Sequence, residues 1–278
     1  MSADLFRFDG RRALVVGGAS GMGRAAAELL LDLGAEVIVF DIQPVDLDGV
    51  RALDVDIRDR AAIDEGLAAI GGPLDAILAC AGVADGPGIE KVLFLGHRHL
   101  IDTAVVQGLL PRGSAIGVIS SSAGKAWREH LEALQLYLDT PDFESGAAWI
   151  AERPELANYA WGKEAMLAWV AQSAYPLLQQ GIRVNALMPG PTDTPLARAN
   201  FDPWLTYGSE YRESLGIPPA TALQQAAVLV FLCSAAASYI NGIEVMADSG
   251  SHTAVQAGQV EDPVVGMMRR MGLPAPTS

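Results

Sequence analysis

Short runs of β-branched and aliphatic residues alternate along the chain with longer segments rich in alanine and leucine. The short runs are continuously apolar, as in strands that are buried on both faces of a parallel sheet. They predict strands at 12–16, 36–41, 50–53, 74–80, 115–120, 183–188 and 243–246. The longer segments predict helices at 22–33, 60–70, 90–110, 159–180 and 222–232. Because strands and helices alternate with short connections, we expect a single-domain α/β fold: a doubly wound parallel sheet with helices on both faces.

Three segments depart from this alternation. A polar, helix-prone stretch at 125–157 predicts a helical insertion, and an aromatic stretch at 195–220 predicts a lid over a substrate site, since long insertions in compact domains are usually functional. The last residues, 256–278, are rich in glycine, proline and methionine and predict a loosely held tail. The expected domain is therefore 1–255, followed by this tail.

Composition excludes several classes of protein. Half of the residues are apolar and 19% are charged, which excludes a wholly disordered chain. A net charge of −14 would repel phosphate backbones and anionic lipids, so neither nucleic acid nor a membrane is an expected partner. The most apolar stretch, 226–233, is far shorter than the roughly 20 residues that cross a bilayer.

The two cysteines, Cys80 and Cys233, both lie in apolar runs and predict reduced thiols in the core rather than a disulfide framework. The N-terminus carries charge early and lacks the apolar segment of a secretory signal. Together these features predict a soluble, cytoplasmic protein.

A glycine-rich sequence, VVGGASGMG, joins the first predicted strand to the first predicted helix. Glycines at this junction permit a tight turn and a close approach of the backbone to a pyrophosphate, whose charge then meets free N–H groups at the helix N-terminus. An ordinary turn is the alternative, but the strand before and the helix after favour a phosphate site. The predicted cofactor contacts here are Gly17, Ser20, Gly21, Met22 and Gly23.

Asp41 ends the second predicted strand, 20 residues after Gly21, and Ile42 follows it. A carboxylate at this position can accept hydrogen bonds from the ribose 2′-hydroxyl of adenosine and would repel a 2′-phosphate. No arginine or lysine follows in DIQPVDLDG, so the sequence predicts NAD rather than NADP as the cofactor. A solvated aspartate at a strand end is the alternative.

Tyr159 and Lys163 are spaced i, i+4 in NYAWGKEAML and therefore share one face of a helix. A phenol titrates near pH ~10. A neighbouring ammonium, together with the positive ring of an oxidised nicotinamide, would lower that pKa towards the working range of an acid/base catalyst. Upstream, ISSSAG places hydroxyl groups at the carboxyl end of a strand, where Ser121 can bind a substrate oxygen unless these serines merely end the strand.

These ordered motifs resemble the short-chain dehydrogenase/reductase family over about 11–250: GGASGMG, Asp41, DVDIRD, ISSSAG, YAWGK and RVNALMPGPTDT. The resemblance implies a Rossmann fold and hydride transfer between a secondary alcohol or ketone and a nicotinamide. It implies that Tyr159 is the general acid/base, that Lys163 lowers its pKa and binds the nicotinamide ribose, and that Ser121 orients the substrate oxygen. Further implied cofactor contacts lie at other strand ends: Asp56, Ile57, Ala81, Gly82, Pro189, Gly190, Thr192 and Thr194.

Within the family the chain is most similar to the bacterial 3α-hydroxysteroid dehydrogenase/carbonyl reductase group. The signs are SAAASYINGIEVMADSG and a separation of 38 positions between Ser121 and Tyr159, where the family usually has about a dozen. The resemblance implies a homodimer or homotetramer. Aromatic residues near the motifs predict, with Ser121, a pocket for an apolar cyclic substrate such as a steroid, terpenoid or aryl alcohol, unless they simply pack the insertion: Trp127, Trp161, Trp204 and Tyr207.

Three positions depart from the family pattern. Ala79-Cys80-Ala81-Gly82 stands where the family has N-N-A-G, and Val16 stands where it has threonine. Leu93 falls where a helix asparagine usually joins the proton relay. Because leucine cannot hold a relay water, we expect a different or slower route for protons leaving Lys163.

Other functions fit the sequence less well. His97 and His99 are two apart on a predicted helix and point to different faces, so no metal site is expected. An enoyl reductase is disfavoured, because those enzymes separate tyrosine and lysine by six positions. The remaining alternative is a non-catalytic nucleotide-binding regulator or scaffold, which the altered N-N-A-G favours and the intact Ser121, Tyr159 and Lys163 oppose.

Overall fold

The computed structural model describes residues 3–200 and 204–270. Within them, seven parallel strands form one sheet in the order β3-β2-β1-β4-β5-β6-β9, and a short parallel pair, β7-β8, lies apart. The strands are β1 Arg12–Val16, β2 Glu36–Asp41, β3 Val50–Asp54, β4 Ala76–Ala79, β5 Ala115–Ile119, β6 Arg183–Pro189, β7 Thr192–Asp193, β8 Ala220–Thr221 and β9 Glu244–Ala247. The strand order reverses between β1 and β4, and ligands bind at such switch points in open α/β sheets.

Helices connect the strands and cover both faces of the sheet. Those in the described residues are α1 Gly21–Asp32, α2 Arg60–Ile70, α3 Gly96–Val106, α4 Leu131–Leu138, α5 Phe143–Ala151, α6 Tyr159–Gln179, α7 Pro195–Ala199, α8 Ser209–Leu215, α9 Ala222–Cys233, α10 Ser251–Gln256 and α11 Pro263–Arg270. Short 3-10 turns span Ala3–Phe6, Ser122–Gly124, Pro154–Leu156 and Ala235–Ala237. No helix of the described part of the chain combines the length and apolar character needed to cross a bilayer.

The side chains of β1 show why the strands are continuously apolar. Leu14 and Val16 face a core shared with α2, α3 and α6, whereas Ala13 and Val15 face a second core shared with α1 and α9. All four side chains are buried. Burial on both faces confirms the doubly wound sheet that the sequence predicts.

Apart from shifts at element ends, three elements differ from the sequence prediction, the first being the segment predicted as a loosely held tail, which forms α11 at Pro263–Arg270. The edge strand β3 is largely exposed, because it has a neighbour on one side only. The helix expected at 90–110 begins with a π-helical turn, Lys91–Leu95, and becomes α-helical at Gly96. A Cβ on Gly96 would lie 2.2 Å from the carbonyl oxygen of Ile57, so glycine is required for this close approach of helix and loop.

The helical insertion packs through apolar and aromatic side chains, although its sequence is polar overall. Helices α4 and α5 fold over α6 and the π-helical turn and bury an aromatic stack. Its three rings contact one another: the centroids are 5.1 Å apart for Tyr137 and Trp149, 6.1 Å for Trp149 and Trp161, and 6.4 Å for Tyr137 and Trp161. The rings stabilise the insertion through stacking and through the large apolar area that they bury.

Candidate active site

A cleft enclosing about 660 Å³ lies at the carboxyl ends of the strands. This is within the usual size of ligand sites, roughly 300–1,000 Å³. Every predicted cofactor contact lies on its walls: Gly17, Ser20, Gly21, Met22, Gly23, Asp41, Ile42, Asp56, Ile57, Ala81, Gly82, Tyr159, Lys163, Pro189, Gly190, Thr192 and Thr194. The topology brings these residues together: most of them end or directly follow strands of the seven-stranded sheet, Tyr159 and Lys163 lie on α6, and Thr192 lies in β7.

The glycine loop has the geometry of a phosphate site. Gly17 has a φ of +85° and Gly21 one of +56°, and a Cβ on Gly23 would lie 2.0 Å from the carbonyl oxygen of Gly17. Ser20 precedes α1 in an extended conformation and makes no side-chain capping hydrogen bond. The first N–H groups of the helix therefore face the cleft without a side-chain cap, as anion binding at a helix N-terminus requires.

Asp41 is held rigidly beside this loop. Its carboxylate accepts hydrogen bonds from the backbone N–H groups of Ala19 and Gln43, each at 2.9 Å. Further along the same wall, the guanidinium of Arg58 donates to both carboxylate oxygens of Asp56 and lowers the pKa of that carboxyl. The residues present thus fit the adenosine half of a dinucleotide, with a fixed acceptor near the ribose position.

Tyr159 and Lys163 lie on the first turns of α6, against the end of β5. Asn158 caps the helix by accepting a hydrogen bond from the N–H of Trp161. The ammonium of Lys163 donates to the carbonyl oxygen of Ile119 at 2.9 Å, and the hydroxyl of Ser120 donates to the carbonyl oxygen of Lys163 at 2.8 Å. These bonds fix α6 against β5 and so set the tyrosine and lysine beside the serine run.

The protonation of this site differs from the sequence expectation. Burial raises the pKa of Tyr159, and a hydrogen bond with Ser121 opposes that rise. The expected lowering by Lys163 is wrong for the protein by itself: its Nζ lies 5.7 Å from the ring centroid of Tyr159 and donates to a backbone carbonyl. Burial also lowers the pKa of Lys163 to about 8, which weakens it as a cation near that pH.

Of the predicted pocket aromatics, two lie on the cleft and two do not. Trp204 and Tyr207 line it, and the rings of Trp204 and Tyr159 are 4.9 Å apart. The prediction is wrong for Trp127, which donates from its indole nitrogen to Glu244 at 2.7 Å on the far side of the serine run. It is also wrong for Trp161. This residue lies two positions after Tyr159, on a different side of α6, and packs in the aromatic stack of the insertion.

Models of two related families match this chain. The model described as short chain dehydrogenase matches residues 11–125, and the model described as Enoyl-(Acyl carrier protein) reductase matches residues 146–252. The chain belongs to the short-chain dehydrogenase/reductase family. It is accordingly an oxidoreductase of alcohol or ketone substrates, in a family that binds nicotinamide cofactors.

Curated relatives of this chain include dehydrogenases named for coniferyl alcohol and for a 3-alpha-hydroxysteroid. A coniferyl-alcohol dehydrogenase of Pseudomonas sp. (strain HR199 / DSM 7063) is 29% identical over 86% of this chain and 96% of its own length. A 3-alpha-hydroxysteroid dehydrogenase/carbonyl reductase of Comamonas testosteroni is 29% identical over 88% and 98%. The crystal structure of 3-alpha-hydroxysteroid dehydrogenase from Pseudomonas sp. B-0831 complexed with NADH is 26% identical, covers 90% of this chain and 99% of that one, and has a TM-score of 0.71.

The structure shows what replaces the asparagine of the family relay. Leu93 is buried against Gly162 and Gly82, next to the ammonium of Lys163. One turn further, the buried imidazole of His97 donates from Nε2 to the carbonyl oxygen of Ala81, because a carbonyl can only accept. Burial lowers the pKa of His97 to about 4, so this ring is neutral and holds the backbone that precedes Gly82.

Two of the other three histidines each contact one carboxylate through the imidazole ring. His99 contacts Asp64 at 2.8 Å and His130 contacts Glu164 at 2.7 Å. Among the residues that the structure describes, no three His, Cys, Asp or Glu side chains are grouped to hold a metal ion.

Several residues on the walls of the cleft were not predicted from the sequence, and two of them matter below. Lys125 lies four positions after Ser121, and Val264 comes from α11 in the tail. The motif spacing carries a signal for Lys125, which directly follows ISSSAG. Nothing in the sequence points to Val264, whose place depends on how the tail folds back.

Proposed function

We propose that this protein is an NAD-dependent oxidoreductase that interconverts a secondary alcohol and a ketone on an apolar cyclic substrate. The observation that carries the proposal is the convergence of Ser121, Tyr159 and Lys163 on the cleft that the glycine loop also lines. A bound nicotinamide would supply the acceptor or donor of the hydride.

The side chains of the site handle the proton. In reduction the Tyr159 phenol gives its proton to the new alkoxide, and in oxidation the phenolate form of the same residue takes the proton of the substrate hydroxyl. Ser121 donates a hydrogen bond to the same substrate oxygen and holds it next to the phenol. Because burial raises the pKa of Tyr159, the phenol is protonated at neutral pH, which suits it to act as an acid towards a ketone.

Replacing the phenol tests this role. Tyr159→Phe keeps the ring that packs on Trp204 and removes the oxygen, so we expect turnover to be abolished while the Kd for NADH stays within a few-fold of wild type. Tyr175→Phe is the matched control, because Tyr175 lies on the same helix with its side chain 71% exposed. Retained activity in Tyr159→Phe contradicts the acid/base assignment.

Asp41 supports NAD as the cofactor. Its fixed carboxylate suits a ribose 2′-hydroxyl and repels a 2′-phosphate. Among the described residues that line the cleft, the cations are Arg58, Lys125 and Lys163, and Arg58 is already paired with Asp56. A 2′-phosphate at the adenosine end of the cleft would therefore be repelled by Asp41 and would find no available cation.

The ratio of kcat/KM with NADP to that with NAD tests the assignment. We expect a value well below one in the wild type and a rise of roughly tenfold in Asp41→Asn, which keeps the shape of the side chain and removes the repelling charge. A wild-type ratio above one overturns the NAD assignment.

The walls of the substrate end support an apolar cyclic substrate. Trp204, Tyr207 and Leu196 present apolar surface next to Ser121 and Tyr159, which supply the polar anchors. The relatives above are named for coniferyl alcohol and for a 3-alpha-hydroxysteroid, both of which carry rings, in agreement with this surface. A screen of steroid, terpenoid and aryl alcohols with NAD, read as absorbance of the reduced cofactor, tests the class. Tight NADH binding without turnover of any of them would favour a non-catalytic regulator instead.

Two further expectations stay predictions from the sequence, the homo-oligomeric state and the cytoplasmic location. Apolar side chains exposed on the outer face of α6, Tyr175 and Leu178, are compatible with a subunit contact.

A further inference from the structure

We propose that helix α11 of the C-terminal tail forms one wall of the substrate site, that Val264 is a specificity-determining residue on that wall, and that an ion pair between Lys125 and Asp262 holds the helix in place. The inference concerns the substrate end of the cleft and rests on the proposed function for its kinetic test. The matched family models end at residue 252, so the wall is formed by a segment outside them.

Val264 lies on the wall of the cleft that holds the candidate site. It lines the same cleft as Ser121, Tyr159, Trp204 and Tyr207. The remaining aromatic and aliphatic side chains of this end come from α7 and the segment before α8. A substrate seated between Tyr159 and the lid therefore has Val264 on one side. A single methyl group in an apolar pocket changes substrate discrimination by roughly 10-fold or more.

The start of α11 explains how the helix is positioned. Asp262 precedes Pro263, and a proline at the first helical position with an acidic residue before it favours a helix start. One carboxylate oxygen of Asp262 accepts from the N–H of Val264 at 2.8 Å. The other lies 3.3 Å from the ammonium of Lys125, and each of these side chains is about one third exposed. A single carboxylate thus caps the helix and anchors it to the segment that follows the serine run.

The same ammonium also reaches the lid. Lys125, Tyr207, Gly208 and Pro263 line one pocket, the charge of Lys125 opposes the rise that burial causes in the pKa of Tyr207, and a Cβ on Gly208 would lie 3.6 Å from Pro263. The serine run, the lid and the tail therefore meet at Lys125. Only three lysines occur in this acidic chain, and Lys125 lies where the lid and the tail meet the segment after the serine run.

The wall is tested by changing the size of residue 264. With NADH, the KM for a small ketone such as cyclohexanone is compared with that for a larger fused-ring ketone. We expect Val264→Ala to favour the larger ketone and Val264→Phe to favour the smaller one, each changing the KM ratio at least about fivefold, while the Kd for NADH is unchanged. Val106→Phe, at a valine 87% exposed on α3, is the control and should leave the ratio unchanged. An unchanged ratio in both Val264 variants overturns the proposal.

The ion pair is tested without turnover, by amide hydrogen exchange of residues 264–266. Lys125→Met removes the cation, and Asp262→Asn removes the anion but keeps a good helix cap. We expect about two- to fivefold faster exchange in each variant, the size usual for a partly exposed ion pair, and the same effect on wild type in high salt. Arg60→Met, which breaks the exposed pair with Glu144 far from the cleft, is the control.

Exchange that stays at the wild-type rate in both variants overturns the anchoring role. If the wild type reduces no ketone at all, the proposed function fails, and the exchange rates still decide whether Lys125 and Asp262 hold the helix.

Discussion

Lys163 is a buried cation, and its removal gives a quantitative test of the site. The side chain is 4% exposed, and burial lowers its pKa from 10.5 to about 8. At neutral pH the folded protein therefore keeps an ammonium in surroundings that disfavour charge. We expect Lys163→Met to lose activity but to gain stability at pH 7.

The size of the gain follows from two opposing effects. A lowering of the pKa from 10.5 to about 8 corresponds to about 3 kcal/mol of destabilisation of the folded wild type at neutral pH. Methionine removes this penalty, but the carbonyl oxygen of Ile119 loses its donor, which costs about 1–2 kcal/mol. The variant should therefore be more stable than the wild type by about 1–2 kcal/mol at pH 7.

The difference must depend on pH with a definite sign. Below about pH 8 the lysine is protonated in both the folded and the unfolded states, so the wild type is destabilised by the full cost of the buried charge. Between about 8 and 10.5 the unfolded state binds more protons, and the stability of the wild type rises with pH relative to the variant. Above 10.5 the penalty is gone and the variant is the less stable of the two.

Urea unfolding of both proteins at several pH values from 7 to 10.5 measures this difference, and the other titrating groups cancel in the comparison. Lys91→Met, at a half-buried lysine, is the control and should show a nearly constant difference from wild type. A stability difference for Lys163→Met that does not change with pH refutes the reasoning, as does a loss of more than about 1 kcal/mol at pH 7.

Two further predictions concern packing around the cleft. Gly23→Ala should weaken NADH binding and destabilise the fold by about 1–3 kcal/mol, because the added Cβ would meet the Gly17 carbonyl. Gly82→Ala is the control: its Cβ would make only ordinary contacts, so this variant should unfold at nearly the wild-type urea concentration. Trp204→Phe should raise the KM for the substrate about two- to tenfold, since Trp204 packs on Tyr159, while Trp161→Phe should leave KM unchanged and alter only stability. Equal effects of the two tryptophan changes on KM would contradict the placement of Trp161 in the aromatic stack.

The sequence predicts the sheet well because a buried parallel strand requires an uninterrupted apolar run. Strands β1 and β2 have the predicted limits, and the predicted helix at 60–70 is α2. The departures arise where a neighbour decides the local structure. The π-helical turn before Gly96 depends on the close approach of the Ile57 carbonyl, which no periodicity in the sequence reveals.

The same distinction between local and long-range contacts applies to the candidate site. The glycine loop and the pair Tyr159 and Lys163 could be predicted from short sequence spacings. Residues that are neighbours in a turn or on one helix face lie close together in any fold that contains that turn or helix. The pocket aromatics were harder to predict, because helix positions two residues apart point in different directions. Tyr159 faces the cleft and Trp161, two residues on, faces the insertion.

By itself, the sequence determined the alternation of strands and helices, the position of the glycine loop, and the serine, tyrosine and lysine that the family resemblance points to. Only the tertiary structure decided which aromatic rings reach the cleft, that burial raises the pKa of Tyr159, and that the tail brings Val264 to the substrate end. The physical reason is range: backbone hydrogen bonding and helical periodicity act over a few residues, whereas burial and contacts between distant segments arise only when the whole chain has packed.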